Sequence, residues 1–89
     1  MYYCYILYSQ KIDKFYIGST GDLEGRLHRH NTSNKGFTST GKPWELKYYE
    51  AFEEKSDALG RETQLKKWKS RDAILKLIEE FYRGYPKNQ

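Results

Sequence analysis

Two β-prone runs stand five residues apart near the start of the chain, and that spacing restricts the fold more than any other feature. Tyr2 to Ser9 reads YYCYILYS, Phe15 to Ser19 reads FYIGS, and the largely polar QKIDK lies between them. Both runs are rich in aromatic and β-branched residues, and the first contains neither Gly nor Pro. Five residues suffice for a hairpin turn but not for the roughly dozen-residue crossover that a parallel pair needs. The runs are therefore expected to form an antiparallel hairpin. Tyrosine favours sheets, so packing alone is the ordinary reading of its tyrosines. The alternative is that some of these phenols face a working site.

After Ser19 the period changes. In STGDLEGRLHRHN, Leu23 and Leu27 are four apart, Thr20 or Asp22 can cap the start, and Asn31 can end a helix. Thr32 to Pro43 combines Ser, Thr, Asn, Gly and Lys with one phenylalanine and reads as a long structureless loop, a kind that is often functional. Trp44 to Phe52 reads as a third strand. Ser56 is placed to cap a helix to about Lys69, with Ala58, Leu59, Leu65 and Trp68 as its apolar residues. A last helix from Arg71 to Tyr82 carries Ile74, Leu77, Ile78 and Phe81 at helical spacing, with Gly84 and Pro86 to end it. The fold class expected is α+β, a three-stranded antiparallel sheet flanked by helices in the order β-β-α-β-α-α. A single domain over 1–83 with a frayed tail at 84–89 is expected.

Composition narrows the function. A chain of 89 residues buries only ~60–65% of its unfolded surface, so large aromatics, 17% of the residues, must supply much of the core. The single cysteine, Cys4, excludes an internal disulfide and a cysteine-based zinc site, and fits a reducing compartment. No run approaches the roughly 18 apolar residues of a membrane span, so no membrane association and a cytoplasmic location are expected. Sixteen Lys and Arg against twelve Asp and Glu leave a formal charge of +4, which favours polyanionic partners, nucleic acid above all. The basic residues cluster in GRLHRHN and in QLKKWKSR.

One carboxylate is out of pattern. On a helical projection of the second helix Ala58 lies about 40° and Leu65 about 60° to one side of Glu62, with Leu59 about 60° to the other. Glu62 therefore sits in the stripe that should face the core, where a carboxylate needs a cationic partner or a wet cleft. Arg26 or Lys66 could pair with it and do nothing more. It could also serve as the single carboxylate ligand of a hard divalent ion that keeps most of its waters, as Mg²⁺ does. On the first helix, Arg26 and His30 are neighbours at the border of the apolar stripe; alone they read as its solvated margin. His28 and Arg29 project toward solvent.

Tyr5, Tyr16-Ile17-Gly18, Arg26, His30 and Glu62, in this order, resemble the GIY-YIG nuclease superfamily. The resemblance runs from about Tyr2 to Arg71. It looks closest to small stand-alone bacterial members akin to the N-terminal nuclease domain of the incision component of the excision-repair excinuclease. YIG alone is unspecific; its spacing from the upstream tyrosine strand, with RLHRH after it and ALGRETQLKKWKSR later, makes the combination specific. The first motif reads Tyr3-Cys4-Tyr5 and lacks the family's glycine.

The resemblance implies a divalent-metal-dependent endonuclease acting on nucleic acid, with DNA the expected form and repair or recombination the expected setting. Glu62 would hold one Mg²⁺ or Mn²⁺. Tyr5 would be the base or relay that takes a proton from the attacking water, its phenol lowered from a pKa near 10 by the metal, Arg26 or a lysine. Tyr16 would position that water, Arg26 would clamp the scissile phosphate, and His30 would bond a tyrosine or the phosphate. Gly18 would let backbone approach a phosphate, while Lys35, Lys66, Lys67 and Lys69 would contact flanking phosphates. A catalytically silent nucleic-acid-binding module of the same fold is the alternative. A protein-interaction adaptor would need an exposed apolar patch.

Overall fold

The computed structural model describes residues 1–83. The expected tail at 84–89, with Gly84 and Pro86, lies outside the described residues. Strands β1 (Tyr2–Ser9), β2 (Lys14–Thr20) and β3 (Trp44–Phe52) form one antiparallel sheet in the order β2-β1-β3. Helix α1 (Leu23–Thr32) follows β2, and α2 (Lys55–Trp68) and α3 (Arg71–Tyr82) follow β3. The architecture is the α+β order β-β-α-β-α-α that the sequence predicts.

β1 is central, and Cys4, Tyr5, Ile6 and Leu7 are all buried because helices cover both faces. Alternation along the strand sends Tyr5 and Leu7 to one face and Cys4 and Ile6 to the other. The first face packs with Trp44 and with Leu23 and Leu27 of α1. The second packs with Tyr48, Leu65 of α2, and Ile74 and Ile78 of α3. The β1–β3 register shifts between Ile6 and Leu7, which pair with Tyr48 and Leu46 and leave Lys47 as the extra residue of a bulge.

The helix starts follow local capping chemistry, with one correction. Asp22 caps α1 by accepting from Gly25 N at 3.1 Å, and Ser70 caps α3 by accepting from Ala73 N at 3.2 Å. Ser56 does not cap α2: Glu54 is the N-cap, and Ser56 falls inside the first turn. Leu59 and Trp68 are not core residues either, being 45% and 37% exposed. Ala58 and Leu65 alone of α2 are fully buried, so the docked stripe is narrower than periodicity suggests. The loop from Thr32 to Pro43 is also more ordered than expected, because Phe37–Gly41 forms a 3-10 turn. Its anchors are the Ser9 hydroxyl, which donates to Gly41 O at 2.6 Å, and the Trp44 indole, which donates to Thr38 O at 2.7 Å.

Candidate active site

Tyr5 pairs with Gly18 and Leu7 with Tyr16 across the hairpin, so Tyr5 and Tyr16 project from the same face, beneath α1. Their rings stack at 6.4 Å with 28° between planes. Helix α1 brings His30 down beside them. Tyr5 Oη and His30 Nε2 lie 3.0 Å apart, and the His30 ring meets Tyr16 edge-on at 4.7 Å. His30 is 7% exposed and Tyr5 1%. His30 is thus not solvated helix margin. The sheet explains Gly18 directly: a Cβ there would sit 2.6 Å from Tyr5 Oη and 3.1 Å from Tyr16 Cε1. Gly18 is buried, and the group its missing side chain admits is the Tyr5 phenol.

Burial pushes the Tyr5 phenol well above its usual pKa of 10; the neighbouring Tyr16 and Glu62 add to the rise and Arg26 opposes it. Arg26 by itself does not bring the Tyr5 phenol down, because desolvation of the phenolate outweighs the guanidinium. Burial also lowers His30 from the usual 6.5, and the charges of Arg26 and Arg29 lower it further. The pair therefore joins a protonated phenol to a neutral imidazole at neutral pH. Arg26 bonds the Tyr5 phenol but makes no ion pair among the described residues, so no carboxylate neutralises its charge.

Glu62 arrives from the other side. α2 packs on the face opposite Tyr5, and Glu62 reaches edge strand β2 at Ser19, whose hydroxyl donates to Oε1 at 2.7 Å. Lys66, one turn on, holds Oε2 at 2.6 Å. The cationic partner is thus Lys66 and not Arg26. Glu62 is only partly buried, with its side chain 18% exposed. Tyr5 and Glu62 do not share a face; they come together around the β2 edge, near enough for the carboxylate to act on the Tyr5 phenol.

These donors fit a hard divalent ion. Glu62 and Ser19 offer oxygen only, and the ammonium now balancing the carboxylate belongs to a half-exposed, flexible side chain. Among the described residues no group of three or more His, Cys, Asp or Glu could form a closed cage. One carboxylate suits an ion that retains water.

Lys66 and Lys69 line a cleft of about 370 Å³ with Tyr16, Phe15 and Arg71. Lys67 is exposed on α2 and does not line it, and Lys35 is exposed in the loop after α1. Sequence reasoning missed Ser19 as the residue that orients Glu62, though a hydroxyl pair directly after the glycine is visible in FYIGST. It also missed Trp44 as the edge-on neighbour of Tyr16, at 6.2 Å.

A family model described as the GIY-YIG catalytic domain matches residues 1–75. A UPF0213 protein of Staphylococcus haemolyticus is 41% identical over 81 residues, covering 89% of this chain and 95% of that protein. One of Staphylococcus saprophyticus is 39% identical over 80 residues, with the same coverage. One of Bacillus pumilus is 44% identical over 55 residues, covering 60% of this chain and 55% of that protein. No solved structure matches significantly. With the family match spanning most of the chain and the sheet carrying both tyrosine motifs side by side, the chain belongs to the GIY-YIG family.

Proposed function

We propose that the chain is an endonuclease that hydrolyses phosphodiester bonds of nucleic acid, DNA in the first instance, with Glu62 as its metal ligand. The observation that carries this reading is the buried Tyr5–His30 pair, set beside the Arg26 guanidinium, which bonds Tyr5 and has no carboxylate partner among the described residues, and around the strand edge from Glu62. A packing role alone gives no reason to bury a histidine against a phenol of the central strand, next to the edge strand that receives a carboxylate.

A high Tyr5 pKa makes free phenolate a poor candidate for the base. A relay avoids it. Tyr5 donates its proton to His30 Nε2 as its oxygen takes one from the attacking water, so the charge ends on imidazolium. This uses the His30 tautomer that carries its proton on Nδ1. The new oxygen–phosphorus bond forms as the bond to the 3′-oxygen breaks, and that oxygen takes its proton from solvent. Arg26 binds the scissile phosphate and gains strength as charge accumulates in the transition state. Tyr16 holds the water, Ser19 orients Glu62, and Lys66 and Lys69 contact flanking phosphates in the cleft. A Mg²⁺ or Mn²⁺ ion held by Glu62 would supply Lewis-acid stabilisation of the phosphate and the leaving oxygen.

The test is a panel of nicked, flapped, branched and abasic DNAs incubated with Mn²⁺, beside Glu62→Gln. Metal-dependent cutting by the wild-type chain, lost in Glu62→Gln, is expected. Cutting by the variant at the wild-type rate would remove Glu62 from the reaction. Salt-dependent binding without cutting of any substrate would leave a silent nucleic-acid-binding module.

A further inference from the structure

Phe37 opens the 3-10 turn of the loop after α1 and is 55% exposed. Full burial of such a ring is worth about 1.5–3 kcal/mol, yet the fold displays it. The display is built. Gly36, at φ 83°, takes a left-handed conformation that a side chain would resist, and turns the chain into Phe37. Behind the ring, Thr40 Oγ1 donates to Phe37 O at 2.8 Å, and the Trp44 indole holds Thr38 O. Asn31 bonds both backbone groups of Trp44.

The ring is also placed with respect to the chemistry. Phe37 meets Trp44 at 6.2 Å, and Trp44 meets Tyr16 at 6.2 Å, so Phe37 lies within about 12 Å of Tyr16. That is at most about three or four nucleotides along a stacked strand at ~3.4 Å each, and fewer along an unstacked, extended one. Residues 32–43 contain Lys35 and Lys42 and no acidic residue. An exposed aromatic on a hydrogen-bonded turn, flanked by cations and hydroxyls, matches the way single strands are held, by base stacking with phosphate contacts alongside.

We infer that Phe37 is a stacking platform for an unpaired nucleobase of the strand being cut, so that the site takes nucleic acid with unstacked bases a few nucleotides from the scissile bond. The inference rests on the endonuclease reading. In an intact duplex each base face is already covered by its neighbours and offers Phe37 nothing. A single-stranded, bulged or frayed segment offers a free face.

The experiment measures binding of the wild-type chain in EDTA, which prevents cutting, to a 2-aminopurine-labelled single-stranded DNA and to the matching duplex. Phe37→Ala should weaken single-strand binding about 5- to 150-fold, the equivalent of ~1–3 kcal/mol per stacked base, and leave duplex binding unchanged. Phe37→Trp should restore it. The dependence of affinity on salt should stay the same in Phe37→Ala and become shallower when Lys35 and Lys42 are replaced by Gln. Equal losses on both DNAs, or none, would overturn the inference while leaving the endonuclease reading to the Glu62→Gln comparison. A wild-type chain that binds neither DNA would overturn both.

Discussion

Tyr5 and Tyr16 stack on each other, but Tyr5 is the more deeply buried and alone of the two bonds His30. The two phenols should therefore respond differently to the loss of one oxygen. Tyr5→Phe keeps the ring and removes the relay, and should lower kcat by 10²–10⁴-fold at roughly 1 kcal/mol of stability. Tyr16→Phe should lose less, since it only positions water. Phe at Tyr8 or Tyr49 should change the rate little, because Tyr8 bonds the turn residue Asp13 and Tyr49 packs edge-on against Tyr3 and Phe81. Equal small losses at Tyr5 and Tyr16 in single-turnover rates would return both to packing roles. Lys66 gives a second prediction at this scale. Its ammonium competes with any cation for Glu62, and a partly exposed pair of this kind is worth ~0.2–1 kcal/mol. Lys66→Met should tighten Mn²⁺ binding about 1.4- to 5-fold in a titration without nucleic acid. Weaker binding would mean that Lys66 supports the ion.

The helices hold the site through their ends. Ser70 caps α3, and the next residue, Arg71, reaches back to the hairpin turn, bonding Asp13 Oδ1 at 2.5 Å and lying over the Phe15 ring. That clamp ties the β1–β2 turn, and with it the tyrosine strands, to the start of α3. Ser70→Ala removes the acceptor for Ala73 N and should cost about 1 kcal/mol, lowering Tm by roughly 4–8 °C in calorimetry with activity retained below the transition. A larger effect comes from the packed stripe of α2. Leu65 is 1% exposed among Cys4, Ile6 and Tyr48, and Leu65→Ala should cost ~2–5 kcal/mol. Because α2 also carries Glu62, the same variant should lose metal affinity before it unfolds. Between α2 and α3, Lys69 holds a left-handed backbone at φ 48°, where glycine is the usual residue. Lys69 lines the cleft together with Lys66, where a lysine would serve the proposed phosphate contacts.

Across the molecule, pH dependence follows from burying a neutral histidine. The folded His30 pKa lies below 6.5, so in the window between the folded and unfolded values the unfolded chain binds more protons. Stability contributed by His30 is therefore present above pH 6.5 and is lost as pH falls through that window. The proposed relay has the same sign, because protonated His30 cannot accept from Tyr5. Both Tm and cleavage rate should fall on acidification below 6.5, and His30→Gln should flatten the pH dependence of Tm over that range. A rate that rises on acidification would exclude neutral His30 as the acceptor.

The bounds of β1, β3 and α3 were legible because strand and helix periodicity and end signals are local, and the five-residue connection forced the hairpin. The candidate residues were legible as a spaced set, and the misplaced Glu62 stood out on its helix. What lay beyond reach depends on groups far apart in the chain. The start of α2 moved to Glu54 and Leu59 turned outward because docking, not propensity, decides which stripe is buried. His30 became buried and neutral only because Tyr5, 25 residues away, receives it, and Glu62 was oriented by Ser19 at a separation of 43. Tyr5 rose in pKa where a neighbouring arginine alone would have lowered it, since desolvation is a property of the assembled core. The sequence determined which elements form and which polar residues are out of pattern; the tertiary structure decided which of them meet, and in what protonation state, because burial and long-range contact do not exist until the chain has packed.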